Sequence, residues 1–195
     1  MDVSTGLRDL TGVTLGTERL RLAAPTEADV DTITAACQDP EIQSWLFIPL
    51  PFTRRDARFF VTEVIPRGMA AGTSVVFGFY PKGSTELLGM MSLTNITAPG
   101  SPEGAMAEFG CWAAPDARRR HYTREAGFAV CRWAFGTLGI ERLEMLVCAG
   151  NTVAVQGAQK YGFKVEGILR SRRILRGERV DMWVGSVLPS DLGFG

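Results

Sequence analysis

The order in which hydrophobic periodicities follow one another constrains this chain more than any single residue does. Residues 18–24 alternate polar and apolar, as a half-buried strand does. Pro25-Thr26 then opens a helical stretch, with Thr26 as N-cap and the acids Glu27 and Asp29 in the first turn. Asp39-Pro40 interrupts it. A short helix from Glu41 carries Trp45 and Phe47 until Pro49 and Pro51 break it. Residues 53–65 read as a second capped amphipathic helix, with Gly68 and Gly72 framing its end. Apolar, β-branched segments follow at 74–80 and 87–96, joined by a Pro-Lys-Gly-Ser turn, and a less regular strand at 105–113. A helix over 123–138 ends at Gly139, and a buried strand covers 142–148. A short helix over 151–161 is closed by Gly162, and a hairpin pairs 164–175 with 179–188. Strand, helices, three strands, helix, strand, helix, hairpin predicts an α/β fold: a mixed sheet with helices on both faces.

No repeat and no linker divides this series. Residues 1–17 read as an N-terminal arm, 18–188 as one domain and 189–195 as a tail. A domain of this size buries roughly 70% of its unfolded surface, so it needs no metal or disulfide staple. The formal net charge is zero, which argues against nucleic acid or an anionic membrane as partner. Cys37, Cys111, Cys131 and Cys148 are widely and irregularly spaced, as thiols of a reducing compartment are. One histidine, His121, supplies neither a zinc site nor a Ser-His-Asp triad. The first residues carry an early acid and no apolar run, and no stretch nears the ~20 apolar residues of a membrane span. A cytoplasmic protein is expected.

Several segments, taken in order, resemble the GNAT N-acyltransferase superfamily, and within it the RimJ/RimL-type protein N-acetyltransferases. They are ERLRL near the start, Pro-Phe-Thr before the second helix, Glu-Phe-Gly-Cys-Trp at 108–112, Glu125-Ala126 in the central helix, Lys160-Tyr161-Gly162-Phe163 and the late Asp181-Met182-Trp183. The resemblance covers about residues 17–188. It implies the GNAT fold, with strands 105–113 and 142–148 parallel and splayed around the pantetheine arm of the donor. It also implies that the next helix points its N-terminus at the donor pyrophosphate, an arrangement that helix-end physics favours.

The chain departs from the family frame at the phosphate loop. Where relatives read A-R-G-x-G-Y-A-x-E-A, residues 117–126 keep the frame but place Arg119 and His121 at the two glycines. Side chains there are expected to crowd a diphosphate and to twist the loop amides away from it. Two donors are weighed, and the second, a carrier protein, is the one expected, with acetyl-CoA as the alternative. Arg118, Arg119, Arg120 and Arg124 replace amide contacts with charge and acyl-CoA still binds, or the loop takes the phosphopantetheine of an acyl carrier protein, whose acidic helices an arginine cluster attracts. The second reading leads to a small-molecule amine acceptor in a biosynthetic pathway. Aminoacyl-tRNA as donor and a non-catalytic binding module are further alternatives. The family's general acid is also missing, with Ala154 and Ala158 at its two usual positions.

By resemblance, Glu108 is the candidate general base on the central strand, taking a proton from the acceptor ammonium through water. Asn151 is the second catalytic candidate, and equally a helix N-cap. Trp112, Ala113 and Ala114 are the candidate carbonyl-polarising amides. Arg118, Arg119, Arg120, His121, Tyr122, Thr123 and Arg124 make the donor loop, with Tyr122 packed beneath it. Trp45 and Phe47 face the acceptor. Tyr161, Cys111 and Cys148 read as packing residues, and the arginines of the late hairpin as a solvated face. No metal and no tightly bound cofactor are expected, and the resemblance allows a homodimer.

Overall fold

The computed structural model describes residues 7–194. A two-residue strand β1 (Leu15–Gly16) pairs with β2 (Leu20–Ala23). Thr26 and Asp29 form the expected capping box around a 3₁₀ turn, Glu27–Asp29, which runs into α1 (Val30–Ala36). Asp39 caps α2 (Pro40–Trp45), with Pro40 in the first turn, where its missing N–H costs nothing. Thr53 and Asp56 cap α3 (Arg54–Phe59), which continues through a π-helical turn, Phe60–Val64, into α4 (Ile65–Ala70). The periodicity predicts an end at residue 65. The helix runs on because the wide turn precedes Pro66, whose ring would otherwise strain an α-helical ladder and which has no N–H to donate.

Strands β3 (Val75–Pro81), β4 (Gly89–Thr94) and β5 (Met106–Ala113) follow. Then come α5 (Tyr122–Trp133) with a π-helical end at Ala134–Leu138, β6 (Arg142–Cys148), α6 (Thr152–Gln159), β7 (Lys164–Leu175) and β8 (Glu178–Val187). They form one sheet in the order β1-β2-β3-β4-β5-β6-β8-β7. Every neighbouring pair is antiparallel except β5 with β6. From Val75 to Tyr80, β3 is buried on both faces, as a central strand covered by helices on each side should be.

The stretch read as an arm joins this sheet through β1, and Leu10 is buried against the core. Residues 1–6 of that arm lie outside the described residues. At the other end Phe194 packs edge-on against Phe135. Among the described residues no helix is long and apolar enough to cross a membrane.

Candidate active site

The site begins where the two parallel strands part. β5 and β6 pair only at Met106↔Arg142, Ala107↔Leu143 and Glu108↔Glu144. Beyond that point β5 follows β4 as far as Ala113↔Gly89, and β6 follows β8 as far as Cys148↔Met182. The gap leaves backbone groups on the inner edge of β5 without ladder partners. Backbone direction repeats every second residue of a strand. The Ala114 N–H donates to Leu88 O on the β4 side, and the Glu141 N–H donates to Ala105 O on the β6 side. Phe109, Cys111 and Ala113 therefore turn their N–H groups into the gap. Of the three amides expected to polarise a carbonyl, Ala113 keeps that position. Ala114 is taken by Leu88, and Trp112 faces β4.

The candidate donor loop joins the gap end of β5 to α5. Its backbone is left-handed at Arg119 (φ 60°) and at His121 (φ 63°), the two positions at which the resemblance leads one to expect glycine. Both residues sit in the region that favours glycine and bear the strain of an L side chain there. His121 is the residue before α5 and makes no side-chain cap, so the first-turn amides remain open at the positive end of the helix. A left-handed residue beside a helix start makes a concave array of N–H groups suited to an anion.

The arginines divide between that array and the protein itself. Arg118 turns away from the array. It holds Asp39 and Glu41 at 2.7 Å each, and this keeps the Asp39 carboxyl below the usual carboxylate range. Arg120 and Arg19 lie over the Tyr122 ring at 4.9 and 4.8 Å, so Tyr122 packs under the loop as expected. Glu125 accepts from the Arg19 backbone and side chain and from Thr17, anchoring α5 to the strand end. Arg119, Arg124 and His121 are exposed, and Arg124 covers Phe128. In the hairpin, Arg176 donates to Gln43 O and Arg179 to Ser171 O. The basic face is thus partly consumed by internal contacts.

Glu108 is the last residue of β5 paired to β6, at the apex of the gap. Its carboxylate accepts from Arg173 Nη2 at 2.7 and 2.8 Å and from Asn95 at 3.3 Å. Glu144 stands opposite it, neutralised by Arg142, which also holds Glu166. Two adjacent carboxylates on neighbouring strands thus each have their own arginine, as like charges so placed require. Asn151 caps α6, with its side-chain oxygen accepting from the Ala154 amide at 3.1 Å. Its Nδ2 has no partner among the described residues.

On the helix-covered face beside Gly110 and Trp112 lies an apolar cavity of about 430 Å³. Phe47, Phe52, Phe59, Phe60 and Met91 supply much of its wall. Phe47, one of the two aromatic residues expected to face the acceptor, is in that wall. Trp45 is not among the lining residues: its indole lies against Gly150, where a Cβ would stand 3.7 Å from the ring. Cys111 lines the cavity too and is an exposed residue. Tyr161 is buried between Phe109 and Phe128 and hydrogen-bonded with Thr123. Burial raises its hydroxyl well beyond the ordinary phenol range, which fits a packing residue that keeps its proton.

Arg173 is the site residue that sequence reasoning did not single out. It appeared only as one of several hairpin arginines, because its partner is 65 residues away. The roles of Asp39 and Glu41 were hidden for the same reason: Arg118 reaches them across more than 70 residues.

A mixed sheet opened at its one parallel pair, with an uncapped helix start and an anion-shaped loop at the opening, defines an acyltransferase cleft. The acetyltransferase (GNAT) domain profile matches residues 19–164, and the chain belongs to that family of N-acyltransferases. It is 27% identical over 186 residues to an uncharacterized N-acetyltransferase, p20, of Bacillus licheniformis, covering 91% of this chain and 97% of that one. Two solved structures share the fold. RimJ of Mycobacterium smegmatis, in complex with CoA-disulfide, superposes with a TM-score of 0.83 at 18% identity, covering 96% of this chain and 92% of that one. RimL, a ribosomal-protein α-N-acetyltransferase in complex with coenzyme A, gives 0.77 at 18% identity, covering 90% and 98%.

Proposed function

We propose that this enzyme transfers an acetyl group from acetyl-CoA to an amine by direct attack within one ternary complex. The observation that carries the reading is the left-handed backbone at Arg119 and His121. A loop released from binding diphosphate would be free to relax residues that cost about 1–2 kcal/mol each in this conformation. Keeping the shape keeps the amides aimed at an anion. The CoA complexes of RimJ and RimL, which share the fold, agree with a CoA-type donor. The carrier-protein reading requires a free arginine cluster. Arg118, Arg120, Arg173 and Arg176 have other occupations, which weakens it.

In this mechanism the acceptor nitrogen forms a bond to the thioester carbonyl carbon while amides on the inner edge of β5 receive the developing negative charge. The C–S bond then breaks and CoA leaves as a thiolate. Glu108 takes the proton lost by the amine, with Arg173 Nη2 moving off its oxygens to admit it. Solvent protonates the thiolate, since Ala154 and Ala158 offer no acid. Asn151, whose Oδ1 caps α6, then offers Nδ2 to a pantetheine amide or the catalytic water.

Calorimetry with acetyl-CoA and with a phosphopantetheinylated acyl carrier protein tests the donor. Saturable acetyl-CoA binding, lost when both Arg119 and Arg124 become alanine, is the expected result. Binding of the carrier without binding of acetyl-CoA would overturn the reading.

A further inference from the structure

The apolar cavity beside β5 is bounded there by a residue with no side chain. Glu108, Gly110 and Trp112 share one face of β5, and Gly110 and Trp112 belong to the cavity wall. Glycine weakens a strand, and inside one it marks a bend, a bulge or the close approach of a ligand. Neither backbone nor packing demands it at position 110. Its φ lies outside the left-handed region, and Ser92↔Gly110 sits within an unbroken register from Gly89↔Ala113 to Thr94↔Glu108. A Cβ there would meet the Ser92 hydroxyl alone, at 3.1 Å. By contrast, a Cβ at Gly78 would stand 2.6 Å from the Tyr80 hydroxyl, and one at Gly185 2.7 Å from Lys164 O. What Gly110 leaves is room on the cavity side, one step along the strand from Glu108.

Charge at this point is already balanced. Arg173 Nη2 holds both Glu108 oxygens and Asn95 adds a third contact. An incoming ammonium therefore gains little from Glu108 by attraction, and the selective part of its binding has to come from apolar surface. The wall supplies that surface through Ile33, Phe52, Phe60, Val76 and Met91. Among the described residues Asp56 is the one charged member of the wall, and its carboxylate is spent on the Thr53 cap. We infer that the acceptor is a primary amine carrying an apolar, ring-sized arm. Its nitrogen stands at Glu108, and its arm passes over Gly110 and fills the chamber, so that Gly110 sets how large the arm can be. This rests on the acetyltransferase reading for the reaction at nitrogen but not for the binding of the arm. Two residues along a strand span about 7 Å, the reach of a short spacer between an amine and a ring. An apolar cavity of ~150 Å³ suffices for benzene, so about 430 Å³ takes a single or a fused ring.

The test is acetyl transfer by the whole protein from acetyl-CoA to ethylamine, butylamine and 2-phenylethylamine, beside calorimetric binding of the same amines without donor. Burying a ring is worth a factor of about ten to a hundred, so 2-phenylethylamine should exceed ethylamine by that factor in kcat/KM and in affinity, with butylamine between them. Gly110→Val should bring the first two within about threefold of one another, and Gly110→Ala should remove part of the gap. A thermal melt followed by circular dichroism shows whether each variant is folded. Should valine prevent folding, the alanine variant carries the comparison, since its Cβ meets one hydroxyl. Indifference of the unaltered protein to arm size would overturn the inference, as would an undiminished preference in a folded Gly110→Val. So would faster transfer to a peptide with an N-terminal serine than to 2-phenylethylamine. Tighter binding of octanoyl-CoA than of acetyl-CoA, with no gain from the phenyl ring, assigns the chamber to an acyl chain and overturns it too. Ring-dependent binding of amines that are never acetylated supports the chamber's occupant while refuting the acetyltransferase reading. Conversely, acetyl transfer without regard to arm size removes this inference alone.

Discussion

Replacing Arg119 and His121 together by glycine should make this protein more stable, although it deletes two polar side chains from the proposed donor site. Both residues have φ near 60°. An L side chain in that region costs about 1–2 kcal/mol, and the greater unfolded-state freedom of glycine returns about 0.5–1 kcal/mol of any gain. The net expectation is about 0.5–1 kcal/mol per site. For a domain of this size the pair raises Tm by about 2–8 °C. Urea unfolding at constant m-value gives the free energy directly. A parallel Arg119→Ala, His121→Ala variant separates backbone from side chain, since alanine keeps the strain and loses the polar groups. It should be near neutral. If the alanine pair stabilises as much as the glycine pair, the gain comes from removed charge and not from relieved backbone. If the glycine pair is neutral or destabilising, the strain argument fails, and with it the observation on which the donor assignment stands.

Two further outcomes follow from the charge and thiol environments. Hydrogen bonding from Arg142, with Ser186 second, holds the Glu166 carboxyl down to about 2 against an ordinary 4.5. Ionised Glu166 therefore stabilises the fold above about pH 4.5, and that contribution fades as pH falls toward 2. The stability gap between wild type and Glu166→Gln should be largest at neutral pH and vanish near pH 2, with a size of about 1 kcal/mol or less because the pair is solvent-screened. Urea midpoints across that range check it, and a gap that widens on acidification would refute it. Cys131, buried on α5, has its thiol raised to about 12 by desolvation and is only about 0.003% thiolate at pH 7.5. Peptide mapping after iodoacetamide should show it alkylated at least about a hundredfold more slowly in the native protein than in urea, and a native rate near the unfolded one would refute the desolvated setting.

The fold was legible wherever one strong period ran between clear breakers. Residues 142–148 and the helix starts at Thr26 and Thr53 are such places, because alternation and capping boxes are local chemistry. The helix beyond Ile65 was not legible, since Pro66 reads as a stop unless the chain can open a π turn before it. β1 was invisible for a different reason: two residues carry no period, and they form a strand only because β2 is already there. In the site, Glu108, Asn151, Phe47 and the donor loop could be named from order and type. What those residues hold could not. The reach of Arg173 to Glu108, the diversion of Arg118 to Asp39 and the seating of Trp45 against Gly150 are contacts between segments far apart in sequence. The left-handed backbone at Arg119 and His121 was not legible from two residue types that rarely adopt it.

The short helix α2 has a consequence for how the two substrates meet. One end is tied to the donor loop through Arg118 on Asp39 and Glu41. The other is tied to the hairpin through Arg176 on Gln43, with Trp45 against Gly150 just before α6. Six residues span the distance between these ties, and Phe47 hangs from the far end at the cavity mouth. A rod that short and that well fastened has little slack. With the donor and acceptor seated as proposed, a shift in Arg118 as the donor settles is passed to Phe47, and by reciprocity an acceptor pressing on Phe47 changes how firmly the donor is held.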